Sequence, residues 1–90
     1  MKPDEIKQKL IEAARANAPE GLFDGVYDVA PCLSELAGSF AVGARHDVEW
    51  REGALVRALI TKEVLPNVAR TESHNACVAM ATKFDELNAA

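Results

Sequence analysis

The sequence predicts an all-α fold: a compact four-helix bundle, three long helices plus one shorter or irregular segment, in a single domain spanning residues 1–90. Three observations carry that prediction. Apolar residues return with a 3.6-residue period over most of the chain. Sixteen alanines, eight leucines and eight valines stand beside only five aromatics, the material of close-packed helices rather than of a β-sandwich. Proline and glycine fall between the periodic stretches, where helices stop. A chain of this length buries about 64% of its unfolded surface, enough for one core and not for two.

The first helix is the clearest element. Asp4 is placed to cap it, and Ile6, Leu10, Ala13, Ala14 and Asn17 fall on one face. Glu5 and Lys9 form an i,i+4 pair on the wet side. Pro19-Glu20-Gly21 ends the helix, because proline lacks an amide donor and glycine accepts positive φ. Residues 22–28, Leu-Phe-Asp-Gly-Val-Tyr-Asp, read as a short helical turn or an ordered loop. Asp28 then caps a second long helix, with Pro31 in its first turn. Its apolar face is Leu33, Leu36, Ala37, Phe40, Ala41 and Ala44, and Gly43 and Arg45 suit its C-terminal end.

Asp47 is the expected cap of the third helix, with Glu49 and Glu52 in its first turn. Val48, Leu55 and Leu59 make one stripe, Val56, Ile60 and Val64 a second, and Ala54 and Ala58 widen the arc. A helix apolar around so much of its circumference predicts a central position touched on two sides, as the core of the domain or the seam of a homodimer. Pro66 stops it near Leu65. The last helix starts at Pro66 or, by preference, with Thr71 as its cap, and carries Cys77, Met80, Ala81, Phe84 and Leu87 on one face.

Charge narrows the function. Ten basic against fourteen acidic residues give a net charge of −4, and no stretch is basic enough to neutralise several phosphates at once. Nucleic acid and a bare membrane surface are therefore disfavoured as partners. The N-terminus, Met1-Lys2-Pro3-Asp4-Glu5, lacks the apolar stretch of a signal peptide. Cys32 and Cys77 then read as reduced thiols, and the expected location is the cytoplasm.

Catalytic and cofactor signatures are missing: there is no GxSxG, no glycine-rich phosphate loop and no HExxH. His46 and Asp47 are sequence neighbours that point apart on a helix. His74 and Cys77 are spaced to share a metal ion with Cys32 or His46, but zinc sites ordinarily offer two such close pairs and this chain offers one. The sequence thus predicts no enzyme, no cofactor and no metal.

The remaining reading is a small regulatory or protein–protein interaction module that works through a helical face, with another protein as partner and a homodimer as its expected state. Trp50 and Arg51 sit among Glu49 and Glu52, and tryptophan and arginine are the types enriched among interface anchors. Arg57 follows on the same helix, and Phe23 and Tyr27 lie in the acidic, glycine-broken stretch. The competing account of the aromatics is that they plug the ends of a small bundle. Two other functions stay open. One is a helix-turn-helix DNA-binding regulator presenting Glu72, Ser73, His74 and Asn75 at the start of the last helix. The other is an acidic inhibitor of a nucleic-acid-handling complex, using Asp24, Asp28, Glu35, Glu72, Asp85 and Glu86 as phosphate mimics.

Overall fold

Proline at the start, carboxylates in the first turn and a cation in the last turn favour the first helix, α1, over Pro3–Ala16. A computed structural model, which describes residues 2–19, 22–23, 29–42 and 48–89, places three further helices. They are α2 (Ala30–Ala41), α3 (Val48–Thr61) and α4 (Pro66–Ala89). No strand occurs among the described residues. The radius of gyration is 12.1 Å, matching the value of about 12 Å expected for a folded chain this long.

Several boundaries differ from those the sequence predicts. Lys2, not Asp4, holds the N-cap position of α1, and Asp4 and Glu5 act on the helix dipole from inside the first turn. Val29 holds the cap position of α2 without a side-chain cap bond. Asp28, Gly43, Arg45 and Asp47 lie outside the described residues. Of the two starts the sequence allows, the fourth helix takes Pro66 and not the preferred Thr71, and it runs for 24 residues, the longest of the four. Its early turns pack through Ala69 and Ser73, both fully buried. Side chains so small leave little periodic signal in the sequence.

The end of α3 is the best-defined corner. The helix stops at Thr61, short of the predicted Leu65. The amide of Val64 donates to the Leu59 carbonyl (3.0 Å) and that of Glu63 to the Ile60 carbonyl (2.9 Å). Glu63 sits in the left-handed region at φ 68°. This is a Schellman stop, and Leu59 and Val64 make its apolar contact inside the core. Glycine would be the usual residue at Glu63, so the sequence hides the turn.

The core joins all four helices and the Leu22–Phe23 turn. Leu10, Ile11 and Ala14 come from α1, and Leu33, Leu36, Ala37 and Phe40 from α2. Leu55 and Leu59 come from α3, and Ala76, Cys77, Met80 and Ala81 from α4. The broadest interfaces are those of α4 with α1 and with α3, followed by α1 with α2, whereas α2 touches α3 and α4 only lightly. The spine is therefore α4, not α3. Leu55, Leu59 and Val64, which the sequence offers to a second copy, are buried within the chain itself. Of the second stripe, Val56 is half-buried and Ile60 keeps 42% exposure.

Candidate functional site

The residues expected to anchor a partner part company in space. Phe23 is 2% exposed and belongs to the core, with its carbonyl accepting a hydrogen bond from Arg15 Nε at 3.0 Å. Its expected outward placement is corrected: the Leu22–Phe23 turn folds under α1 and buries the ring. Tyr27 and His46 fall outside the described residues.

Arg51, expected on the surface, is fully buried. Its guanidinium carbon lies 3.7 Å from the centroid of the Phe40 ring, the geometry of a cation–π contact. Its Nε donates to Ser39 Oγ at 2.7 Å, and that hydroxyl donates in turn to the Leu36 carbonyl at 2.7 Å. Phe40 is itself backed by Phe84, ring centroids 6.3 Å apart and tilted by 45°. A buried cation needs replacements for its lost water, and α2 supplies two of them, the Phe40 ring and the Ser39 hydroxyl. Arg51 is thus an internal strut between α2 and α3.

Trp50 is 52% exposed. From Trp50 the helical repeat carries the same side of α3 through Gly53 to Arg57, turned away from Leu55 and Leu59. Arg57 is exposed, and a Cβ built on Gly53 would stand 3.4 Å from its Nη1. The guanidinium therefore lies along the helix over the place where Gly53 has no side chain. Beside this run is a shallow depression of about 400 Å³ lined by Glu52, Gly53, Val56, Arg57 and Arg70. Arg70 arrives from α4, where its Nη2 donates to Asn67 Oδ1 at 2.8 Å. Among the described residues the one acid lining the depression is Glu52, which meets His74 Nδ1 at 2.6 Å and so ties α3 to α4. A second, less open groove of about 450 Å³ runs between α1 and α4, touching Ala13, Asn17, Val78 and Lys83.

Among the described residues the remaining reactive side chains do not converge. His74 stands exposed against Glu52 whereas Cys77 is fully buried, so the two do not face a common space. Burial, followed by the nearby Glu52 carboxylate, pushes the Cys77 thiol up to about 12 against the smaller opposing pull of Arg51. Cys32 is half-buried, its Sγ 3.9 Å from the Ala54 carbonyl, and burial followed by Glu35 pushes its thiol up as well. Neither thiol is activated. Glu72, Ser73, His74 and Asn75 do not open α4, since the helix begins upstream at Pro66 and Ser73 is buried.

Sequence reasoning named Trp50 and Arg57, which the structure leaves exposed, and did not name Gly53 or Arg70. Gly53 inside a helix is the signal that could have been read, because a mid-helix glycine weakens the helix unless something else uses the space. Compared with protein families, curated proteins and solved structures, the chain matches none.

Proposed function

We propose that the chain is a non-enzymatic protein-binding module, a small helical bundle working in the cytoplasm, that docks another protein on the outward side of α3. The observation that carries this reading is the run Trp50–Gly53–Arg57 on a side of the helix the core does not use. A half-exposed tryptophan and an exposed arginine on one rigid helical face are the residue types that dominate binding energy at interfaces. Neighbouring Ile60, 42% exposed, extends the apolar part of that face. Self-association through the same side is the homodimeric form of the proposal.

The deciding experiment compares wild type with Trp50→Ala. Light scattering at roughly 50 µM reads self-association, and affinity capture from the native cell extract reads other partners; truncating an interface anchor is expected to weaken binding by about 2 kcal/mol, or some thirtyfold. The expected result is loss of dimer or captured partner with circular dichroism unchanged. Identical association by both proteins overturns the reading.

A further inference from the structure

We propose that the depression beside Arg57 and Arg70 is a carboxylate-binding subsite, and that the protein docked on α3 inserts an acidic segment there. The inference rests on the reading of α3 as a docking face and names the chemistry of its partner. Two guanidinium groups from different helices line one depression. Among the described residues neither is paired with a carboxylate, in a chain where acids outnumber bases fourteen to ten. Each is also held rather than free to wander. Arg70 is braced by Asn67 Oδ1, and Arg57 rests over the gap left by Gly53.

The acid already present is directed elsewhere. Glu52 Oε1 is engaged at 2.6 Å by His74 Nδ1, a residue that does not line the depression, and Arg57 and Arg70 stay exposed. Guanidinium forks match a carboxylate in plane and spacing, and the half-buried Val56 beside them gives an apolar wall for the methylenes of an Asp or Glu side chain. A nucleic-acid strand is a poorer fit. Two arginines neutralise too few phosphates, and the net charge of −4 repels the rest. An acidic peptide asks only for local complementarity.

The test is a titration of the isotope-labelled protein, read by amide chemical shifts, with hexaglutamate, hexaglutamine and a thymidine hexanucleotide at roughly 50 mM salt, where exposed charges are weakly screened. Hexaglutamate is expected to move the amides of Gly53, Val56, Arg57 and Arg70. Arg57→Gln and Arg70→Gln should each weaken it about threefold, the worth of an exposed ion pair. Glu52→Gln, which keeps the oxygen that His74 meets, should tighten it about twofold by removing a like charge. Equal shifts from hexaglutamine, tighter binding of the hexanucleotide, arginine variants that bind as wild type, or no shift at millimolar peptide would each overturn the proposal. If it fails while Trp50→Ala still abolishes docking, only the acidic subsite falls. If Trp50→Ala leaves docking intact, the α3 face falls, whatever hexaglutamate does.

Discussion

Arg51 and Arg57 share one helix and meet opposite physics. The inward side of α3 carries Arg51, Leu55 and Leu59, all fully buried, while the outward side carries Trp50, Gly53 and Arg57. On the inward side a charge is admitted only with replacements for water, the Phe40 ring at 3.7 Å and the Ser39 hydroxyl at 2.7 Å. On the outward side the charge keeps its water, and among the described residues no carboxylate is spent on it. The lesson is that residue type does not separate structural from functional charge here; position around the helix does. Stability should therefore depend on one arginine and binding on the other.

The hardest blow to that contrast would come at Arg51. Arg51→Ala empties a packed interior site and removes the donor that Ser39 Oγ accepts, so it should cost about 3 kcal/mol, read as a lowered urea midpoint at unchanged slope. Arg51→Met keeps an unbranched stem against Phe40 and should cost about half as much. A loss below about 1 kcal/mol for Arg51→Ala would show that the inward cation is incidental.

Next in size is an alkaline effect from the same interior. The Cys77 thiol is pushed from 9.0 to about 12 in the folded chain, chiefly by burial. Below pH 9 the folded and unfolded states both hold the proton, and stability is flat on this account. Above pH 9 the unfolded chain releases its proton and the folded chain does not, so stability falls toward pH 12, approaching about 1.4 kcal/mol per pH unit. Cys77→Ala should lose that slope in denaturation curves between pH 8 and 10.5, whatever its own packing cost at neutral pH. An identical slope in both proteins would mean that other groups, not this thiol, set the alkaline limit.

These effects show where the sequence was readable. Of the face predicted for α2, Leu33, Leu36, Ala37 and Phe40 are buried, because large apolar side chains at helical spacing admit few other arrangements, whereas Ala41 is half-buried and Ala44 lies outside the described residues. The inward side of α3 was half legible: Leu55 and Leu59 declare themselves, but Arg51 among Glu49 and Glu52 looks like solvent-facing sequence. Nothing local says that Ser39 and Phe40, from another helix, will replace its water. The start of α4 at Pro66 was one of two the sequence offered, and it ranked second for the opposite reason. Ala69, Ser73 and Ala76 are buried because helices approach closely there, and small side chains carry little hydrophobic signal. Of the candidate site, Trp50 and Arg57 were legible by type, whereas Arg70 reaches it only through the pairing of α3 with α4.

A smaller effect tests the corner that sets this pairing. Glu63 occupies the left-handed region at φ 68°, which costs a residue with a Cβ about 1 kcal/mol and glycine nearly nothing. Glu63→Gly should therefore raise stability by up to about 1 kcal/mol, offset in part by the freer unfolded chain. Leu59 and Val64, which close the Schellman contact, should keep their burial. A destabilised variant would mean that the Glu63 side chain contributes more than its backbone conformation costs.

The smallest stability effect sharpens the contrast most. Arg57→Ala removes a side chain with no ion pair among the described residues, lying across the gap at Gly53. What it contributes to folding is the contact of its methylene stem with α3, and surface truncations of that kind stay within about 0.5 kcal/mol. Thermal melts of Arg57→Ala and wild type should therefore nearly superimpose, whereas those of Arg51→Ala and wild type separate widely. That separation is what frees the outward guanidinium for another molecule: a group the fold does not need can be committed to a partner without weakening the unbound chain. A loss near 2 kcal/mol for Arg57→Ala would place it with Arg51 as a strut and remove the outward side of α3 from consideration as a binding face.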